Sequence, residues 1–267
     1  SVQRRLRDAV RSGTYSHVFL APPCKSFSCA RDEQLRKRDD PSVTPDLPPH
    51  LRELVTKHNA IASFVASLAL TAHTAGVPFS IENPADRGDK DSDAYWEEKR
   101  DHCPLWLLDQ MRILREVTGA RAVTFPQCAF GASVQKYTTL WTTSAAVADA
   151  FSDLVCDHVG AHDEHAYGQA DDGSYRSAEF AAYPDAMDAA LATAISVRGQ
   201  PVPPASTPKI DGLHPMLAVP YDVASRGLRS RANVSGVDAH VSALLMTAAA
   251  VANTPLLCLG GFRGLVK

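Results

Sequence analysis

The chain has 267 residues, 45% of them hydrophobic and 21% charged. That excludes wholesale disorder and suits one large α/β domain, or a domain of about 200 residues with an appendage. A formal net charge of -3 and a pI near 6.3 exclude a global basic field.

A nucleic-acid partner therefore needs a local basic face. Arg4, Arg5, Arg7 and Arg11 with Arg31, Arg36, Lys37 and Arg38 are the candidates, the plainer reading being two solvated charge runs. The cysteines at 24, 29, 103, 128, 156 and 258 are widely spaced. This argues against a disulfide framework and for a reducing, intracellular compartment. Residues 241–252 are apolar but too short and alanine-rich to span a membrane, and no signal peptide is recognisable, so no membrane partner is expected. The chain begins on Ser1 inside a helix-like run, as a trimmed chain or a piece of a longer polyprotein would.

In chain order, residues 2–11 place Val2, Leu6 and Val10 on one side and predict a helix that Gly13 ends. Residues 17–21 form a short apolar strand that Pro22-Pro23 terminates. The charged, proline-rich stretch 31–50 is a loop whose length fits a functional flap or a partly disordered segment. Residues 51–75 are the clearest helix, with a wide apolar stripe through Leu54, Ile61, Val65 and Leu68 and a stop at Gly76. A strand at 77–81 runs into Glu82-Asn83-Pro84. A helix at 104–117, strands at 120–125 and 137–141, a helix or loop at 144–155 and a helix at 184–197 follow. Beyond Gln200 come a linker-like run, a basic patch at Arg226, Arg229 and Arg231, an alanine-rich helix at 239–252 and the strand-like LLCLGGFRG. A soft boundary near 199 divides the chain into 1–198 and 199–267.

This alternation predicts an α/β fold with a mostly parallel sheet and helices on both faces. Chemistry in such sheets lies just beyond the carboxyl ends of the strands. Pro22-Pro23-Cys24 and Glu82-Asn83-Pro84 both occupy such ends, and helix 51–75 is the crossover between them. The two ends are therefore expected side by side.

These residues resemble a known family. Ala21-Pro22-Pro23-Cys24-Lys25-Ser26-Phe27-Ser28 resembles the catalytic loop of the cytosine-C5 DNA methyltransferases, in which a cysteine follows two prolines and precedes a Phe-Ser pair. Pro78-Phe79-Ser80-Ile81-Glu82-Asn83 resembles their second catalytic motif. Phe130-Gly131-Ala132-Ser133-Val134-Gln135-Lys136-Tyr137 looks like a reduced form of a third, with a lysine where the family has arginines. The resemblance covers residues 15–145 and extends to the diverged methyltransferase-like segments carried by some retroelements of algae and protists.

The resemblance implies a Rossmann-like S-adenosylmethionine-dependent methyltransferase fold, with Cys24, Glu82 and Lys136 as catalytic residues. It implies S-adenosylmethionine held near Pro22, Pro23 and Asn83, DNA as partner with RNA as the alternative, and a nuclear setting in a eukaryote. The chemistry wants such groups for physical reasons. Cytosine C5 is a poor nucleophile until a thiolate adds at C6, and Glu82 would share the proton that relieves charge on the ring. The base must leave a duplex to enter such a pocket. Lys25, Arg87 and Lys136 are candidates to hold phosphates.

The chain departs from the family in one respect. Nothing before Cys24 resembles its glycine-rich donor motif. The run from Leu256 to Gly264 loosely resembles that motif, as in circularly permuted members, so Gly260 and Gly261 join the cofactor candidates and the fold is expected to be incomplete or permuted there. Two rival readings follow. One is a non-catalytic nucleic-acid-binding or scaffold protein derived from the fold. The other is a thiol enzyme pairing Cys24 with His17 or His73.

Cys128, Cys156, His158, His162 and His165 crowd into a short stretch. Cys156-x-His158, His162 and Cys128 are a candidate zinc set. The spacing is not that of a standard finger, and the alternative is a polar loop with incidental histidines.

Overall fold

The computed structural model describes residues 2–31, 34–42, 46–159, 161–162, 164–169, 176–178, 180–197 and 256–260. The linker, the basic patch, the alanine-rich helix and Gly261 expected from the sequence lie outside them. Among the described residues no helix is long and apolar enough to cross a membrane.

Helix α1 (Val2–Arg11) leads into strand β1 (His17–Ala21), and Gly13 makes the turn between them at φ 70°. Helix α2 (Pro49–Thr74) then crosses back to strand β2 (Phe79–Pro84). Pro49 suits the first turn of α2, where its missing N–H costs nothing. β2 begins later than the sequence suggests because Pro78 cannot donate to a ladder; its carbonyl instead accepts the Val18 N–H at 2.9 Å. β2 also ends later, so Glu82, Asn83 and Pro84 belong to the strand rather than follow it.

Helix α3 (Asp109–Thr118) starts well after residue 104. Leu105–Leu107 form a 3-10 turn, and Leu108 is extended at ψ 136°. The Trp106 indole donates to the Pro84 carbonyl at 2.9 Å and packs 4.6 Å from the Trp141 ring, tertiary contacts that outweigh helix propensity here. Strands β3 (Arg121–Pro126) and β4 (Tyr137–Thr142), helices α4 (Ala145–Phe151) and α5 (Asp185–Ser196) and strand β5 (Leu256–Gly260) complete the order. α4 is capped by Ser144, whose hydroxyl accepts the Val147 N–H.

The sheet runs β3-β4-β2-β1-β5. β1 pairs in parallel with β2 and β5, whereas β2–β4 and β3–β4 are antiparallel. The α/β class expected from the sequence stands, but the sheet is mixed rather than mostly parallel. Residues 127–136 are too few for a parallel crossover, which needs about a dozen residues or more, and they fold as a 3-10 turn (Gln127–Phe130) closed by Gly131 at φ 85°.

Helices cover both faces. Val18 and Leu20 of β1 pack with Phe79, Ile81, Trp141 and helices α1 to α3. Phe19 and Ala21 point the other way, toward Leu140, Phe125 and helices α4 and α5. Burial of all five β1 side chains follows from this double cover.

Among the described residues of the stretch 31–50, Leu35, Arg36 and Leu47 are buried while most of the others are exposed. Leu35, Leu47 and Val55 form a small apolar cluster beneath it, and Arg36 is 2% exposed. Its guanidinium donates to Ser26 O, Ser26 Oγ, Pro41 O and Asn59 Oδ1 at 2.7–3.1 Å and stacks 3.9 Å from the Phe27 ring centroid. Arg38 forms a two-pronged pair with Asp86 at 2.8 and 2.9 Å. These two arginines, candidates for an exposed basic face, are thereby committed to the interior and to an acidic partner.

Replacing Arg36 with Met should leave Ser26 and Asn59 unsatisfied and cost about 3 kcal/mol. Lys, which lacks the fork, should not restore it. Denaturant unfolding of the two variants checks this, and an Arg36→Met chain as stable as the parent would contradict it.

Candidate functional site

The carboxyl end of β1 passes into Pro22-Pro23-Cys24. A turn follows, in which the Phe27 N–H donates to Cys24 O at 2.7 Å. Cys24 and Lys25 face outward, while Ser26 and Phe27 are buried. The turn is pinned from beneath. His58 Nδ1 lies 2.8 Å from Ser26 Oγ, and Arg36 grips the same hydroxyl. His102 accepts the Arg87 N–H at Nδ1, so its Nε2 carries the hydrogen and donates to the Phe27 carbonyl at 2.6 Å. Burial lowers the pKa of His102, and of His58 to about 4, which keeps both rings neutral in this frame.

Beside it, alternation along β2 turns Ser80 and Glu82 away from Phe79 and Ile81 and onto the α4–α5 face. Glu82 is 7% exposed, and the Tyr183 hydroxyl, just ahead of α5, donates to its Oε2 at 2.7 Å. Asn83 is fully buried; its Nδ2 donates to the Pro22 carbonyl at 2.9 Å and ties the two strand ends together. Asn83 Oδ1 has no partner among the described residues. Lys136, at the start of β4, donates to the Phe180 carbonyl at 2.9 Å.

Charge links these groups. Burial raises the Cys24 thiol pKa even though the residue as a whole presents surface to solvent; Lys136 pulls it down and Glu82 pushes it up. Burial likewise raises Glu82, opposed by Lys136 and the Tyr183 hydrogen bond. Tyr183 is driven well above its usual range by burial and by Glu82, with smaller contributions from Asp188 and Cys24. Cys24, Glu82, Lys136 and Tyr183 therefore share one electrostatic neighbourhood. Pro22, Pro23 and Asn83 border it, and Gly260 ends β5 opposite Ala21. The expectation that Cys24 and Glu82 lie at neighbouring strand ends agrees with this geometry.

His17 and His73 do not pair with Cys24. His17 opens β1, at the opposite end of the strand from Cys24. It bonds Ser80 Oγ at 3.0 Å, and burial takes its pKa to about 3. His73 sits in the last turn of α2, at the end of the sheet where β2 begins. Arg87 is sandwiched 5.4 Å from the Trp96 ring and 5.1 Å from that of Tyr137, while Lys25 is exposed.

A second cluster lies beyond the β3–β4 turn. One ligand atom each from Cys128, Cys156, His158 and His162 falls within 4.8 Å of all the others, an arrangement able to hold a metal ion. Burial would raise the Cys156 thiol, but hydrogen bonds from the His158 N–H, His162 and Cys128 bring it down to about 6. Burial and the Cys156 contact push Cys128 up to about 12. His165 stands apart, stacked 4.4 Å from the Tyr167 ring.

A cleft of about 610 Å³ lies elsewhere. It lies between α3 and the β3–β4 pair, lined by Trp106, Arg112, Arg115, Thr124 and Trp141, and contains none of the predicted site residues. Its lining offers hydroxyls, carboxylates and arginines but no thiol, whereas the Cys24 neighbourhood joins a thiol, a carboxyl group and a cation, so chemistry favours the Cys24 neighbourhood. Comparison of the chain with family models, curated proteins and solved structures finds no match.

Tyr183 was not legible from the sequence because it lies 101 positions from Glu82; only its place before Pro184 and α5 marked the segment. Asp188 on α5 was also missed. It is 4% exposed, neither carboxylate oxygen has a partner among the described residues, and burial with help from Asp185 takes its pKa to about 7.

Two outcomes follow. Tyr183→Phe removes a donor to the carboxylate, so the Glu82 pKa should rise further, as read by carboxyl NMR titration, with a stability loss of about 1 kcal/mol. The native Asp188 holds a proton that the unfolded chain releases above its lower pKa, so stability should fall as pH rises from about 4 through about 7. Asp188→Asn should flatten that fall, by ~2–4 kcal/mol between pH 4 and 8 in paired denaturation curves.

Proposed function

We propose that the chain is a methyltransferase that moves a methyl group from S-adenosylmethionine to C5 of cytosine in DNA through a covalent Cys24 adduct. The observation that carries this reading is the convergence of a thiol, a buried carboxyl group and a lysine at the carboxyl ends of two adjacent parallel strands. Cys24 follows β1, Glu82 lies in β2, and the Asn83–Pro22 hydrogen bond holds the two ends together.

In the proposed reaction Cys24 gives its proton to water as its sulfur adds to C6 of a cytosine taken out of the duplex. Glu82, held by Tyr183, shares the proton at N3 and orients the exocyclic amine. Lys136 stabilises negative charge developing near the thiol and carboxyl group. The methyl donor supplies an electrophilic carbon and departs as the neutral thioether. The C5 proton is then lost to water or a nearby base, and the C6–S bond breaks to restore the aromatic ring and the thiol.

The residues that would hold the donor are Pro22, Pro23 and Asn83 with Gly260. The β5 strand supports this placement: it lies parallel to β1, and its carboxyl end opens onto the same edge as the Cys24 turn. A glycine there admits close approach of backbone to ligand. Asn83 Oδ1, buried and without a partner among the described residues, offers an acceptor at the same edge.

Titration of the whole chain with S-adenosylmethionine by calorimetry should give saturable heat. A DNA duplex carrying 5-fluorocytosine should trap a covalent complex that Cys24→Ser abolishes. Glu82→Gln should slow methyl transfer about 10²–10⁴-fold. Absence of donor heat at millimolar concentration would favour a non-catalytic nucleic-acid-binding protein, and an undiminished adduct from Cys24→Ser would remove Cys24 from the mechanism. Trapping on RNA but not on DNA would move the substrate to RNA.

A further inference from the structure

We propose that Cys128, Cys156, His158 and His162 form a closed tetrahedral Zn2+ site that clamps the β3–β4 turn to the segment following α4. The proposal is independent of the methyl-transfer reading.

Geometry carries it. Cys156 Sγ lies 3.2 Å from His162 Nε2 and 3.6 Å from His158 Nδ1. A tetrahedral ion with Zn–S of about 2.3 Å and Zn–N of about 2.0 Å sets S···N edges of about 3.5 Å. The two imidazole rings pack with centroids 4.2 Å apart, and both present a nitrogen to Cys156 Sγ. Two thiolates and two imidazoles suit zinc by softness and geometry, whereas magnesium and calcium prefer oxygen. The protein supplies all four ligands, leaving no position for substrate, which is the mark of a structural site.

The local fold needs such a link. Between α4 and Tyr167 the described chain has no helix and no ladder, only the isolated bridge of Val134 with Glu164. Val155 and Val159 are exposed, at 65% and 103%, so apolar burial does not order the segment. Cys128, in contrast, is buried in the turn directly after β3. A metal joining them replaces the missing core contacts with four coordinate bonds.

The consequence reaches the candidate active site. The same turn carries Lys136, whose carbonyl accepts the Gln127 N–H at 2.9 Å. Fixing Cys128 and its neighbours therefore fixes the base of the turn from which Lys136 reaches toward Cys24 and Glu82.

The test uses the whole chain. Elemental analysis after purification without chelator should give about one zinc per chain, and a content far below that, not restored by added Zn2+, would overturn the proposal. In the chelator-treated chain, Co2+ should produce thiolate-to-cobalt charge-transfer absorption and intense tetrahedral bands; a pale six-coordinate spectrum without the thiolate band would overturn it. Cys156→Ser should lose the ion while His165→Ala keeps it, and equal binding by both would overturn the ligand assignment.

A measurement on the unmodified chain avoids dependence on variant folding. Zn2+ should protect Cys156 from alkylation and leave the slower alkylation of Cys24 unchanged. It should also slow amide exchange in 127–136 and 156–162 without changing β1 and β2. Equal alkylation with and without Zn2+, or unchanged exchange in both segments, would overturn the clamp.

Discussion

The parallel pairing of β1 with β2 is the constraint on which the candidate site depends. Val18 aligns with Phe79, Phe19 with Ser80 and Leu20 with Ile81. Because side chains alternate along a strand, this register alone decides that Glu82 shares a sheet face with Phe19 and Ala21. It also brings the carboxyl end of β1, and with it the Cys24 turn, level with Glu82 and Asn83. A one-residue slip would turn Glu82 into the α1–α3 core and separate Asn83 from the Pro22 carbonyl. The Asn83–Pro22 and His17–Ser80 hydrogen bonds both oppose that slip.

The thiol turn needs more than a strand to hold it, because an exposed pair such as Cys24-Lys25 has no core contacts of its own. The structure meets this need with buried polar groups. Arg36 binds Ser26 and covers Phe27, His58 reaches the Ser26 hydroxyl, and His102 reaches the Phe27 carbonyl. No carboxylate pairs with Arg36 in this set; carbonyl, hydroxyl and amide oxygens satisfy it, and burial lowers its pKa to about 10. A guanidinium can stay charged in such a place because its five donors are all directed and its intrinsic pKa is very high.

Local sequence carried much of the fold. The i, i+4 spacing in 2–11, the apolar run at 17–21 and the stripe in 51–75 each describe an element that the structure contains within a few residues. What escaped depends on partners distant in sequence. The start of α3 is set by Trp106 reaching back to Pro84, and the burial of Arg36 by Ser26 and Asn59 on either side of it. The antiparallel β4 follows from loop length, which was visible in residues 127–136 but was subordinated to the strand–helix alternation before them. In the candidate site, Cys24, Glu82 and Asn83 were legible because adjacent strands carry them. Tyr183 was not, since no local pattern links a tyrosine before α5 to a carboxylate in β2. The four metal-ligand candidates were legible by residue type, while the exclusion of His165 required its stacking on Tyr167.

The electrostatics of the Cys24 neighbourhood bear on the order of events in the proposed reaction. Burial raises both acids, so in the resting protein the thiol keeps its proton. Lys136 opposes burial at both groups, whereas a charged Glu82 works against a charged Cys24. The site therefore tolerates one negative charge beside Lys136 more readily than two. A pyrimidine that gives Glu82 a hydrogen-bond donor, or that lets it share a proton, removes the repulsion felt by the thiol. In the proposed reaction, ionisation of Cys24 would be easiest once a base is bound beside Glu82, which would couple nucleophile activation to substrate entry.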